Sequence, residues 1–329
     1  MPSISARRRL KTILTAAALA SVLAPAPAAS AATPDVIEGR APSLHPEGVA
    51  YDPTRGAYLV SSLRHGTVSV VRPDGSVRTL VDDPALISAI GIQVDAARRR
   101  LLVANADPGM GVRTSPGTQG RLAGLGIYDL ASGRRTGYVD LAEVAGDSAR
   151  HFANDLAVAP DGTVYVTDSF APIVYRVPTR GEASVLLRDR RLSGGDGFGA
   201  NGIAWRDGHL LIGKYDDGTL WRVPVRRPGA LRQVRLDRAL PGADGIVLRR
   251  DGSLVVVTNK VAASGTDAVF TVRPSAGWSR ATVTGERAWP DQAPTTAAVR
   301  PDGSVHVLSG RLDLLFAGIT TDTFTLRKH

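Results

Sequence analysis

The sequence predicts an all-β chain folded as a six-bladed β-propeller with four-stranded antiparallel blades. Three observations carry that expectation. A short motif recurs six times at near-regular spacing. Each copy leads into β-branched and aromatic runs punctuated by Asp-Gly turns. No long stretch keeps the 3.6-residue apolar period of a helix.

The copies begin at Glu47-Gly48-Val49-Ala50, Ile90-Gly91-Ile92-Gln93, Asn154-Asp155-Leu156-Ala157, Asn201-Gly202-Ile203-Ala204, Asp244-Gly245-Ile246-Val247 and Thr295-Thr296-Ala297-Ala298. Their spacings are 43, 64, 47, 43 and 51 residues, and propeller blades run to about 40–50. Val164-Tyr165-Val166-Thr167 and Leu254-Val255-Val256-Val257 read as strands. Asp161-Gly162, Asp251-Gly252 and Asp302-Gly303 precede strands as tight turns, because Asp and Gly accept positive φ at low cost. Closure into a ring protects sheet edges. A parallel β-solenoid is the alternative, although its repeats are usually shorter. The 64-residue interval marks an insertion, Asp107 to Gly124, rich in Gly, Pro, Thr and Ser. It reads either as a lid over a site or as a plain surface loop.

Composition narrows the function. The 329 residues contain no cysteine, which excludes a disulfide scaffold, a thiolate metal site and a cysteine nucleophile. A hydrophobic fraction of 43% is enough to build a sizeable core. Residues 1–31 read as a secretory signal peptide. Arg7, Arg8, Arg9 and Lys11 precede the apolar stretch Ile13 to Leu23, and Ala29-Ser30-Ala31 supplies the small-residue cleavage site. The mature chain is then one propeller domain, residues 32–329, secreted and without stable membrane insertion. The arginine run leaves the Sec and twin-arginine routes both open. Removing the four basic residues of the signal lowers the formal charge from +9 to +5. The remaining arginine clusters sit beside turns rather than on one helix face, so no nucleic-acid partner is expected. The expected assembly is a monomer.

Read down the repeat, the first position is Glu47, Ile90, Asn154, Asn201, Asp244 and Thr295. In a propeller this position opens the innermost strand, so the equivalent residues ring the central channel. Two carboxylates and two amides there form an all-oxygen set suited to one hard dication, and calcium takes such ligands. The absence of Cys and His argues against zinc or copper. The same residue types also cap loops, which is the plainer alternative. The second strand of each blade ends at the same mouth and adds Asn105, Asp168, Lys214, Tyr215 and Lys260. Phe198 lies on a nearby connection. Lys214, Tyr215, Lys260, Phe198 and Asn105 are the candidate substrate pocket. Asp168 and His151 are the candidate bases.

His45-Pro46-Glu47-Gly48-Val49-Ala50-Tyr51-Asp52, Asn154-Asp155-Leu156-Ala157 with Asp161-Gly162-Thr163-Val164-Tyr165-Val166-Thr167-Asp168, and Ala243-Asp244-Gly245-Ile246 together resemble the gluconolactonase, regucalcin and paraoxonase-like superfamily over nearly all of residues 34–329. The resemblance implies a six-bladed propeller, one channel calcium and hydrolysis of lactones or related esters. It puts the ligand Glu at Glu47, the first Asn at Asn154, the ligand Asp at Asp244 and a paraoxonase-like Asn at Asn201. The sequence departs from the pattern in two blades. In the first, the Asp of a second calcium is replaced by Gly48. In the second, the paraoxonase-like His dyad falls near Ile90 and Ala106, and the polar residues that hold a sugar lactone are replaced by Ser88-Ala89-Ile90.

Two functions remain. The first is an exported calcium-dependent hydrolase of a small-molecule lactone or ester. The second is a metal-stabilised propeller that binds a small molecule or protein and catalyses nothing.

Overall fold

Continuous apolar runs such as Ala57-Tyr58-Leu59-Val60 have no polar face to give to solvent, so they must be covered on both sides. The arrangement that covers them is a ring of sheets packed face to face. The computed structural model describes residues 33–329, together with Pro2. The expected signal segment otherwise lies outside the described residues. Residues Pro34–His329 form one unit.

The chain enters at β1 (Val36–Arg40) and then runs through consecutive antiparallel meanders. The first holds β2 (Val49–Asp52), β3 (Ala57–Ser61), β4 (Thr67–Val71) and β5 (Val77–Asp82). The second holds β6 (Ser88–Asp95), β7 (Arg100–Ala106), β8 (Ala123–Asp129) and β9 (Arg135–Asp140), followed by a short helix α1 (Leu141–Ala145). The third holds β10 (Ala153–Val158), β11 (Val164–Asp168), β12 (Ile173–Val177) and β13 (Ser184–Arg188). The fourth holds β14 (Ala200–Arg206), β15 (His209–Lys214), β16 (Leu220–Pro224) and β17 (Arg232–Leu236). The fifth holds β18 (Ala243–Leu248), β19 (Leu254–Thr258), β20 (Ala268–Ser275) and β21 (Arg280–Ala288). The last holds β22 (Pro294–Val299), β23 (Val305–Ser309), helix α2 (Leu312–Phe316) and β24 (Thr323–Lys328).

Hydrogen bonding divides these strands into four four-stranded sheets and one eight-stranded sheet. This differs from the six separate blades expected of the sequence. The cause is local: β17 and β21 run parallel and pair over Arg235↔Arg280 and Leu236↔Ala281, fusing two meanders at their outer edges. The arrangement is propeller-like. The first strands touch in the cyclic order β2, β6, β10, β14, β18, β22 and back to β2. Closure uses both ends of the described chain, because β1 pairs antiparallel with β24 and completes the sheet that β22 begins. Sequence reading did not place β1 there. Among the described residues no helix is long and apolar enough to cross a membrane.

The core is six apolar clusters between neighbouring sheets, and alternate residues of one strand serve different clusters. Ala57 and Leu59 of β3 face the second meander, whereas Tyr58 and Val60 face the last sheet. Leu254 and Val256 of β19 join one cluster, and Val255 and Val257 join the next. All four of these β19 residues are buried, so the strand loses its polar alternation.

The inner strands carry a shared irregularity. In β6, β10, β14, β18 and β22 two residues oppose one on the partner strand, at 90–91, 154–155, 201–202, 244–245 and 295–296. These are the motif pairs themselves. A β-bulge re-aims the side chains it carries. The second residue of the pair is often glycine because the next inner strand passes there. A Cβ on Gly202 would collide with the Asp244 carbonyl, and one on Gly245 with Thr296.

Gly202→Ala is therefore expected to destabilise the fold by ~1–3 kcal/mol through overpacking. Gly229→Ala, where a Cβ meets nothing within 4 Å, is the control and is expected to be near neutral. Urea denaturation of both variants measures the difference.

Candidate functional site

The bulges place Asn154, Asn201 and Asp244 on the channel, and Glu47, two residues before β2, borders the same pocket. The four are 4–8% exposed. They form the floor of an open pocket of about 450 Å³, the solvent at its mouth included, and also border a second, smaller space. Ile90 borders the same pocket. Thr295, the sixth repeat position, is fully buried and instead donates its hydroxyl to the Glu47 carbonyl at 2.6 Å.

Neighbouring groups fix the orientation of these side chains. Asn154 donates its Nδ2 to Ser169 Oγ at 2.9 Å, and Ser169 donates in turn to the Ala200 carbonyl at 2.6 Å. That leaves Asn154 Oδ1 buried without a partner, as is Glu47 Oε2. Asn259 donates Nδ2 to Asp244 Oδ2 at 2.6 Å and to the Pro294 carbonyl at 2.9 Å. Its Oδ1 accepts from the Tyr215 hydroxyl at 2.6 Å. Tyr215, Asn259 and Asp244 thus form one buried relay.

The floor is electrostatically stressed. Burial raises the Glu47 carboxyl well above its ordinary range, and the charges of Asp244 and Asp155 raise it further. Burial pushes Asp244 up to about 7 against the hydrogen bonds from Asn259 and Asn201. Burial likewise lifts Asp155 to about 7, against the backbone N–H groups of Leu156 and Ile203. No Lys, Arg or His lines the pocket among the described residues. Unpartnered buried acceptors are costly, and a desolvated carboxylate needs a counter-charge. A hard cation supplies both, so the donor set fits calcium chemically. The set is two carboxylates and two amides. Among the described residues no group of three or more His, Cys, Asp or Glu is gathered as a metal cluster.

The pocket walls are apolar. Phe152, Phe198, Val261, Leu312 and Phe316 line it with Leu63. Phe198 stacks edge-on against Phe152 at 5.3 Å and against Tyr215 at 5.9 Å. Of the five residues expected to form the pocket, Tyr215 and Phe198 line it and three do not. Lys214 is nearly buried and pairs with Asp217 at 2.8 Å and Asp216 at 3.3 Å. Lys260 is exposed and outside the lining. Asn105 is fully buried behind the wall, where its amide bonds Ile87 N, the Ala85 carbonyl and the Tyr138 hydroxyl.

Both candidate bases are also corrected. Asp168 is fully buried, and Oδ1 accepts from the backbone N–H groups of Phe152, Phe170 and Ala171. Its Oδ2 meets His151 Nδ1 at 2.7 Å and the Tyr175 hydroxyl at 2.9 Å. The second ring nitrogen of His151 meets Asp147 at 3.0 Å. Neither residue lines the pocket. They tie the start of the third meander to its second and third strands, with no acceptor left for a substrate water.

The Asp107–Gly124 insertion is a pinned loop. Asp107 accepts from Gly109 N, Thr114 Oγ1 and Thr118 Oγ1 at 2.6–2.8 Å. Arg113 ties it to the His65 and Leu86 carbonyls and to Asp82. It contributes Pro108 to the pocket. Sequence reading missed Leu63, Val261, Ala262, Leu312 and Phe316 altogether, and for the last two a signal was present. The signal was the apolar run Leu312-Asp313-Leu314-Leu315-Phe316, set where the blade pattern assigns no strand.

Three solved structures define the fold's relatives. The major Malassezia sympodialis allergen Mala s 1 is 19% identical with a TM-score of 0.70, over 90% of this chain and 96% of that one. A gluconolactonase from Xanthomonas campestris is 19% identical with a TM-score of 0.60, over 89% of each chain. Regucalcin from Agrobacterium tumefaciens, described as a calcium-binding protein, is 20% identical with a TM-score of 0.60, over 88% of this chain and 94% of that one. No family model and no curated protein matches the chain. The superfamily that the motifs resemble is therefore represented among structures that share the fold.

One prediction concerns the His151 clamp. Burial alone lowers the His151 pKa, but Asp168 and Asp147 outweigh it and raise it above the ordinary value. A raised pKa contributes stability that is fully present below about pH 6.5. That contribution is lost as pH rises through the folded value. The stability gap between the native chain and His151→Gln is expected to shrink as the pH rises above about 6.5. Thermal melts of both proteins across that range measure it.

Proposed function

We propose that the chain is a calcium-dependent hydrolase of a lactone or related ester, exported after removal of residues 1–31, with residues 32–329 as one six-bladed propeller. The eight-stranded sheet counts as two blades in this reading, since only two residue pairs join β14–β17 to β18–β21. The observation that carries the function is the pocket floor. Two unpartnered buried acceptors, Glu47 Oε2 and Asn154 Oδ1, sit with Asp244 and Asn201 beneath an apolar-walled cavity. The gluconolactonase structure supports the hydrolase class, and the description of the regucalcin structure as calcium-binding supports the ion.

Glu47, Asn154, Asn201 and Asp244 would hold the calcium. Once bound there, the ion supplies Lewis-acid polarisation of a carbonyl. Asn259 and Ser169 hold Asp244 and Asn154 in their orientations. The aromatic walls exclude bulk water and receive the acyl part of the substrate. Glu47 and Asp244 are the only carboxylates bordering the cavity among the described residues. The proton of an attacking water therefore passes to one of these two and not to Asp168 or His151.

A second reading, a non-catalytic small-molecule binder, is favoured by one observation. The pocket has no base apart from the carboxylates that would hold the ion.

Proton release on a panel of aliphatic and sugar lactones, after chelation and then with calcium restored, separates the two. The hydrolase reading expects turnover that returns with calcium. It also expects Glu47→Gln and Asp244→Asn each to lower kcat/KM by about a hundredfold or more, the scale of losing one oriented electrostatic group. Folded, calcium-bound protein that turns over none of the panel supports the binder.

A further inference from the structure

The Gly310–Asp322 segment joins β23 to β24 and brings the apolar side chains of α2 over the pocket. Leu312 and Leu315 are buried in the cluster that also contains Leu63, Ile90 and Phe152, with Phe198, Val261 and Phe316 packed against it. Both ends of the segment are held by one side chain. His45 donates from Nδ1 to the Arg311 carbonyl at 3.1 Å and accepts at Nε2 from the Thr321 N–H at 3.2 Å. These two bonds fix a single neutral tautomer. His45 is 1% exposed, and its own carbonyl accepts from Leu63 N, a residue of the pocket wall. Asp322 adds a second tie, accepting from Ser43 N at its carboxylate and from Ala41 N at its carbonyl.

The tie is made at an energetic cost to the backbone. His45 and Arg311 both adopt left-handed φ values, 43° and 59°, which non-glycine residues avoid. Such strain persists only where surrounding contacts over-determine it. Gly310 packs so tightly on Pro46 that a Cβ would overlap the Pro46 carbonyl. The segment is therefore a strap drawn down onto the mouth.

We propose that this strap sets substrate specificity. Leu312 and Phe316 form the wall that receives an apolar, hydroxyl-free acyl chain, and His45 is the positioning residue that holds the wall in place. The inference rests on the hydrolase reading for its substrate, but not for its test. The walls offer no hydrogen-bond partners for sugar hydroxyls. The polar atoms of the pocket lie on the floor residues and in the Tyr215–Asn259 relay.

The test uses the calcium-loaded chain and a homologous series of alkyl-substituted lactams, which are not hydrolysed, with a gluconolactam as the hydroxylated comparison. Calorimetry reads their affinities, and a separate titration reads calcium affinity. The expected result is affinity that rises with alkyl length and is about tenfold or more above that of the gluconolactam. Phe316→Ala is expected to shift the preferred length upward by two or more carbons. His45→Ala is expected to reduce the long-to-short affinity ratio about tenfold. His45→Gln, which retains one donor and one acceptor, is expected to restore it. Equal affinity for the gluconolactam, no binding of any lactam, or an equal loss across all lengths would overturn the proposal. So would a His45→Ala effect explained by lost calcium affinity, which would assign His45 to Glu47 rather than to the strap. Chain-length-dependent lactam binding without hydrolysis of any lactone would overturn the hydrolase reading alone.

Discussion

The inner ring gathers more buried hydrogen-bond acceptors at the channel axis than the surrounding protein supplies donors for. Glu47, Asp155 and Asp244 are all desolvated; the charges of Asp244 and Asp155 raise the proton affinity of Glu47, and that of Asp155 raises Asp244. Asn154 spends its donor on Ser169 and turns its oxygen inward. Such a surplus costs several kcal/mol if nothing answers it. A fold selected only for stability would have filled these positions with small apolar residues. The cation proposed above would answer this surplus, and the surrounding strands fix where the ring's side chains stand.

The means of holding it are local. Five inner strands bulge at the motif pair, which turns the first residue to the axis and lets the second pass against the next strand. Doubly covered strands then leave no freedom for a one-residue slip, since slipping would exchange the two apolar clusters served by alternate side chains. Pairing of β1 with β24 closes the ring, so the level of the floor is fixed from both ends of the described chain. Above the floor the walls come from segments outside the repeat: the Asp107 loop and the α2 strap.

This division explains what the sequence made legible. The repeat, its period and the four floor residues were readable because each meander opens at an equivalent place on the channel, so a column of residues stands for a ring in space. The pocket was not readable in that way. Lys214 and Lys260 occupy the expected strand ends, yet Lys214 turns to the neighbouring Asp216 and Asp217, and Lys260 faces solvent. Strand position fixes where a side chain begins and not which partner it finds. Asp168 and His151 stand as separate candidate bases in the sequence, yet in space they bond each other, and backbone N–H groups and a tyrosine saturate the carboxylate, which no spacing rule records. The fusion of two meanders through Arg235 and Arg280 rests on a two-residue parallel contact without a sequence signature. Leu312 and Phe316 lie in a connection that repeat analysis sets aside.

The central claim is that the four floor residues form a cation seat. Crystals of the chain grown with calcium, measured by anomalous diffraction, test it most directly. The account expects one anomalous peak at the channel axis, with oxygens of Glu47, Asn154, Asn201 and Asp244 at roughly 2.3–2.6 Å, the usual calcium–oxygen range. A floor with no peak, its carboxyls hydrogen-bonded to one another or to water while calcium is in excess, would contradict it.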